Sequence, residues 1–349
     1  MARRLAPPAA ILGVVLVLAG CASTWSLRTA QPDAALQWPT SPRSPRVIYL
    51  RSLTGIAEGR SAGSMLKAVA YGGETADRGA FVLPVAVATG ADGRLAVADA
   101  ARRCVHLYLP RQRTYLRLAG SPQAPMRSPV GLAFDEAQRL FVADSAGRLY
   151  AYDSAGKLAF IVEEVGGQAL QRPTGIAFSP RSQLLYVVDT LANTIHALHR
   201  DGRLAFTIGQ RGEGEGSFNF PTHIAWSPAG ELYVTDTLNF RIQILDEQGR
   251  FLAAFGHHGD GSGDLAMPKG IAVGRDGVVY LADGLLDLVQ LFNRNGDFLL
   301  SLGRRGVDFG EFWVPSGVTL SATGELYVCD TYNRRVQVFR VVESDASLP

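Results

Sequence analysis

From Phe81 onward, short apolar runs alternate with turn residues in a fixed order. The order is cleanest from Phe220 to Gly256, FPTHIAWSPAGELYVTDTLNFRIQILDEQGRFLAAFG. Its apolar runs are His223–Trp226, Leu232–Thr235, Arg241–Leu245 and Phe251–Phe255, separated by Ala-Gly and Gln-Gly turn signals. Alternation of period two between such turns predicts four strands joined by hairpins.

The same order of features occurs six times. A proline opens each copy at Pro84, Pro129, Pro173, Pro221, Pro268 and Pro315. An aspartate closes the second apolar run at Asp99, Asp144, Asp189, Asp236, Asp283 and Asp330, at spacings of 45, 45, 47, 47 and 47. A period in this range signals a stacked or radial array of one supersecondary unit. Each aspartate ends a strand where the chain turns, and its carboxylate can accept from nearby backbone N–H groups. These six are therefore expected to be structural turn residues, aided by Thr190, Thr237 and Thr331. The last copy has only three strands, whereas Arg46–Leu53 (RVIYLRSL) alternates like a strand and has no copy of its own. The expected fold is all-β, a six-bladed propeller of four-stranded antiparallel blades closed by that N-terminal strand.

The motif Pro-x-Gly-Ile-Ala, Leu-Tyr-Val-x-Asp-Thr, Arg-Ile-Gln-Ile, Gly-x-Phe-Leu and Gly-x-x-Gly resembles the NHL repeat over about 81–340. The copies at Pro221 and Pro315 fit best; Ala86 replaces the glycine of the first, and the second has a short turn after Asp144. With the N-terminal features below, the layout resembles a bacterial group of six-bladed NHL lipoproteins.

Those features begin with Arg3 and Arg4, followed by a short apolar stretch from Ile11 to Leu18 and then Leu18-Ala19-Gly20-Cys21. Charge, short apolar core and small residues describe a secretory signal rather than a spanning helix. The last four residues resemble a lipobox, which implies cleavage after Gly20 and acylation of Cys21. Ala22 rather than Asp follows, which resembles the sorting pattern of outer-membrane lipoproteins, facing the periplasm or the cell surface. The expected organisation is a signal peptide over 1–20, a Pro-rich linker over 21–45, the propeller over 46–341 and a polar tail over 342–349. Within the propeller lie the closing strand 46–53, a long connector 56–80 and the repeats 81–340; Met65 to Tyr71 has the pattern of a short amphipathic helix. Cys104 and Cys329 are the other cysteines, and Cys329 shares a strand position with Ala98, Ala143, Val188, Thr235 and Ala282, which fits a buried apolar thiol.

The formal charge of +2 is carried entirely by Arg3 and Arg4, so the rest of the chain is neutral and lacks the basic footprint of a nucleic-acid binder. Strand alternation puts the aspartate loops and the inter-blade connectors on one face, the upper face. The Gly-rich connectors starting at Gly209, Gly256 and Gly303 align Arg211, His258 and Arg305 at one position on neighbouring blades, and Lys269 opens the fifth inner strand on the same face. Arg211, His223, His258, Lys269 and Arg305 form the candidate binding face, for an envelope protein or a small ligand bearing an anionic group. No Ser-His-Asp set, Cys-His pair or phosphate loop is evident. Resemblance to the peptidyl-hydroxyglycine lyases, NHL-type propellers with an axial zinc held by histidines, fails at five of six axial positions: Ala86, Gly131, Gly175, Gly270 and Gly317 offer no ligand, and only His223 does. No metal or cofactor is expected. The expected function is a tethered binding scaffold that is not an enzyme, with an axial metal-dependent lyase or hydrolase as the alternative.

Overall fold

The computed structural model describes residues 24–40, 43–44, 46–59 and 79–342. Cys21 and the expected signal peptide, the expected helix at 65–71 and the tail from residue 343 lie outside the described residues. Among the described residues no helix is long and apolar enough to cross a membrane.

Six antiparallel sheets stand around one axis, each running from an inner to an outer strand. The inner strands are Pro84–Thr89, Pro129–Phe134, Pro173–Phe178, Pro221–Trp226, Pro268–Val273 and Pro315–Leu320, opening blades 1 to 6. The second strands end on the repeated aspartates and are buried end to end, as in Leu185–Asp189 and Val279–Asp283. They have a blade on each face, so apolar residues fill both sides and the alternation is lost. Tyr186, Tyr233 and Tyr280 hold one equivalent position there and are at most 1% exposed. Outer strands are covered on one face only and alternate, as Phe251–Phe255 does.

Neighbouring inner strands approach backbone to backbone. A Cβ on Gly131 would run into the Thr174 carbonyl, and one on Gly270 into the Ser316 carbonyl. One on Gly175 or Gly317 would lie 2.7 Å from the Cα of His223 or of Ala86. The repeated glycine is thus a spacing device that lets the ring tighten around its axis. Blades 1 and 4 depart from it, with Ala86 and His223.

The ring closes in blade 6. Val47–Glu58 pairs with Arg335–Val341, from Leu53↔Val336 to Val47↔Val341. This closing strand is longer than the sequence pattern predicts and carries into the segment read as connector. Part of the segment read as linker is also sheet. Trp25–Ala30 pairs with the second half of the closing strand, and Gln37–Trp38 with its start. The reason is the closing strand's own outer edge, a row of unpaired N–H and C=O groups. Leu27, Leu36 and Trp38 add apolar packing, with the Trp38 ring 5.8 Å from that of Phe339. The described chain starts at the outer rim: Trp25 pairs with Glu58, past the upper end of the closing strand, and its N–H donates at 2.7 Å to the carbonyl of Arg113 in the outer hairpin of blade 1.

Gly270→Ala is expected to lower unfolding stability by about 1–3 kcal/mol, since no nearby atom can yield without moving backbone. Gly214→Ala, where a Cβ meets nothing within 4 Å, serves as the control. Equal urea midpoints for the two variants would refute the close-approach account.

Candidate functional site

The upper face is assembled at the end of each second strand. Every repeated aspartate is at most 1% exposed and takes one or two N–H groups from the connector entering its own blade. Asp144 accepts from Arg127 and Ser128 at 2.6 and 2.9 Å, and Asp189 from Gln171 and Arg172 at 2.8 Å. Buried N–H groups need partners, and a carboxylate offers two oxygens in the right place. Blades 4 and 6 extend the anchor. Arg241 bridges Asp236 to the carbonyls of Gly214 and Ser217, and Gln243 also reaches Asp236 and Ser217. Arg335 and Gln337 repeat this around Asp330.

In blade 1 those two places hold Cys104 and His106. His106 Nε2 lies 3.6 Å from Asp99, and its Nδ1 lies 2.9 Å from the Tyr115 hydroxyl. Sulfur, imidazole and carboxylate thus adjoin, yet burial pushes the Cys104 thiol up to about 11, so it stays protonated and unreactive. Cys329 is buried and free as well.

Toward the axis, hydroxyl pairs pin blade to blade. Thr174 meets Thr190 at 2.8 Å, Thr222 meets Thr237 at 2.7 Å and Ser316 meets Thr331 at 2.7 Å. Thr190 then donates to the Pro221 carbonyl and Thr331 to that of Pro84. Blade 5 replaces this pair with Lys269 and Gly284. A Cβ on Gly284 would come within 3.0 Å of the Lys269 Cε, so the glycine clears the space that the longer side chain occupies. No hydrogen bond or ion pair engages the Lys269 ammonium among the described residues. Burial pulls it below the ordinary lysine range, and Asp283 only partly offsets this. His223, on the next inner strand, bonds Thr222 at 3.0 Å through Nδ1. Burial, then the charge of Lys269, depresses it to about 3, so the imidazole is neutral. The structure therefore brings His223 and Lys269 together at the upper mouth of the axis.

Arg211, His258 and Arg305 occupy one equivalent position, each bridging its connector to Phe218, Leu265 or Phe312. They are spread one to a connector and do not converge on the axis. His258 stacks on Phe240 with ring centroids 4.3 Å apart, and Arg305 lies 3.8 Å from Asp287. Among the described residues no group of three or more His, Cys, Asp or Glu is placed to hold a metal.

This face also carries an apolar column, of which the sequence suggests the aromatics Trp313 and Tyr332 as rim anchors but not the leucines. The second residue after the repeated aspartate is Leu191, Leu238, Leu285 or Tyr332 in blades 3 to 6, exposed by 45%, 48%, 66% and 53%. Trp313, 41% exposed, packs on Tyr332 with ring centroids 5.4 Å apart. In blades 1 and 2 the position holds Ala101 and Ala146. The column was readable in the aligned repeats.

The depressed His223 gives a pH dependence with a definite sign. Unfolded, it gains a proton as pH falls through 6.5; folded, it resists until about 3. Stability is therefore complete above pH 6.5 and lost progressively below it, by no more than about 2 kcal/mol at pH 5. His223→Gln should flatten this part of the stability profile measured by urea unfolding between pH 7 and 4.5. A profile parallel to that of the unaltered chain would contradict the neutral axial imidazole.

The NHL repeat model matches residues 312–339, in blade 6. No curated protein sequence matches the chain. Among solved structures it is similar to a streptogramin B lyase: 12% identity, 75% of this chain and 94% of that one covered, TM-score 0.55. A catalytically inactive histidine-to-alanine variant of virginiamycin B lyase from Staphylococcus aureus, with quinupristin, is 10% identical, covers 91% and 100%, and has a TM-score of 0.57. A gluconolactonase from Xanthomonas campestris is 19% identical, covers 75% and 87%, and has a TM-score of 0.57. These solved enzymes overturn the expectation that the chain is not an enzyme: a ring built this way carries catalysis, so enzymatic function is open to it. At such identities the likeness extends to the fold, a six-bladed β-propeller with an NHL-type repeat.

Proposed function

We propose that the chain is an exported, lipid-tethered propeller that binds a partner protein on its upper face. One observation carries this reading: exposed apolar side chains at the same position of four successive blades, Leu191, Leu238, Leu285 and Tyr332, with Trp313 beside the last. Loop tips in contact with water favour Asn, Ser or Gly, whereas exposed apolar side chains recurring at the rim of four successive blades mark an interaction surface. The aromatic pair is the natural anchor. Lys269 at the axis and the exposed Arg211 and Arg305 favour a partner segment that carries acidic groups. Tethering rests on Arg3, Arg4, the apolar stretch and the Leu18-Ala19-Gly20-Cys21 motif.

The test is cross-linking of the tethered protein in intact envelopes. Leu238→Asp with Leu285→Asp should lose at least about tenfold of the cross-linked partner, and Arg211→Ala, Lys269→Ala and Arg305→Ala together should lose part of it. The two leucines are exposed, so melting should stay close to that of the unaltered chain. Undiminished capture by the double leucine variant would reject this surface. Cys21→Ser should move the protein into the soluble fraction; persistence in the membrane pellet would reject the lipid tether.

A further inference from the structure

The gaps between blades on the upper face are not filled alike. Between blades 2 and 3, Arg148 pairs with Glu163 at 2.6 Å. Between blades 4 and 5, His258 covers Phe240, and between blades 5 and 6, Arg305 faces Asp287. In each of the last two gaps a side chain from the connector meets the residue four positions after the aspartate. That residue has a left-handed backbone: Phe240 at φ 51° and Asp287 at φ 54°.

The gap between blades 1 and 2 breaks this pattern. Arg103 holds the same position, at φ 52°. The connector from Ala119 to Met126 is shorter than its counterpart from Gly256 to Leu265, and it closes on itself through Gly120 and Pro125. It carries nothing equivalent to His258 or Arg305. What remains is a cavity of about 700 Å³ lined by Arg102, Arg103, Arg117, Ala119, Pro125, Met126 and Arg127. Among the described residues no carboxylate lines it. Asp99 and Asp144, the nearest repeated aspartates, spend their oxygens on backbone N–H groups.

Arg103, Arg117 and Arg127 are exposed and make no ion pair among the described residues. Elsewhere on the ring arginines commonly have a carboxylate, as Arg139, Arg203, Arg250, Arg294 and Arg304 do. Arg117 is braced by donating Nη2–H to the Arg102 backbone carbonyl at 2.8 Å, which holds its side chain beside the loop that carries Arg103. Like charges gathered around a space of this size repel one another unless an anion joins them. Guanidinium forks match the oxygens of a phosphate, and several of them around one cavity suit a dianion better than a single carboxylate. The volume is within the range of small-molecule sites, about 300–1,000 Å³, and exceeds what a bare phosphate fills. Met126, Pro125 and Ala119 supply an apolar wall for an organic body.

We propose that this gap is a binding site for a small phosphate monoester, its phosphate held by Arg103, Arg117 and Arg127 and its organic part lying against Met126 and Pro125. The site is on blades 1 and 2, away from the apolar arc of blades 3 to 6, so it stands or falls independently of the partner reading.

The test is titration calorimetry of the full chain with glucose 6-phosphate, glucose and short-chain phosphatidic acid at two salt concentrations. Glucose 6-phosphate should bind and glucose should not, with affinity falling as salt rises. Arg103→Gln with Arg127→Gln should weaken binding at least tenfold, while Arg203→Gln, at an exposed pair on the opposite face, should leave it unchanged. Both altered residues are exposed, and an unchanged melting curve without ligand shows that the fold is intact. Equal binding of glucose and glucose 6-phosphate, equal binding by the double variant, or binding of phosphatidic acid alone would each overturn the proposal.

Discussion

A connector that dives from the rim to the axis must bury two backbone N–H groups, and nothing in a strand ladder can receive them. The carboxylate at the end of the second strand takes both in blades 1, 2, 3 and 5, as Asp144 does for Arg127 and Ser128; in blades 4 and 6 it takes one, from Asn219 or Trp313, and Asn193 or Asp287 of the preceding blade takes the other. The upper face depends on this single arrangement. It sets where each connector lands, and therefore which side chains stand at the rim, over the gap and at the axis. Where Arg241 or Arg335 doubles the anchor, the Gly-rich connector is tied by its carbonyls as well. Where Cys104 and His106 stand instead, that bracing is missing.

Against so regular a frame, the departures are informative. Lys269 and Gly284 replace a hydroxyl pair as a matched exchange of one large and one absent side chain. His223 stands where the other blades have glycine or, in the first, Ala86. The arc from Leu191 to Tyr332 and the arginines of the first gap divide the rim into an apolar and a basic sector. The solved lyases and gluconolactonase show that the same ring supports chemistry in other chains, so the chemistry here is to be sought in these departures rather than in the fold.

The period, the opening prolines and the aspartates were legible because each copy repeats the same physical task. So was the closing strand, whose alternation lacked a copy to belong to. The pairing of Trp25–Ala30 was not, because prolines dominate the local composition and the partner edge is supplied by Val47–Glu58. Leu191, Leu238 and Leu285 were in plain view, but an apolar loop residue can equally turn between blades, as the fully buried Phe218 and Phe312 do. Only geometry separates the two. The arginine cavity was hidden for another reason: the turn with Arg102 and Arg103, the strand with Arg117 and the connector with Arg127 are separate segments, and what joins them is a shortened connector. Aligning Arg211, His258 and Arg305 identified equivalent positions correctly, but equivalence around a ring is not proximity.

The seam in blade 6 also governs the order in which the molecule can be completed. Leu53 waits for Val336, a partner made only after five blades have been synthesised. Until then the closing strand has one edge free, and contacts of such long separation form slowly. Its other edge does not wait, because Trp25–Ala30 and Gln37–Trp38 come from the neighbouring chain and can pair at once. The short N-terminal strands thus halve the exposed ladder during the interval when an unfinished ring is most prone to pair with another copy of itself.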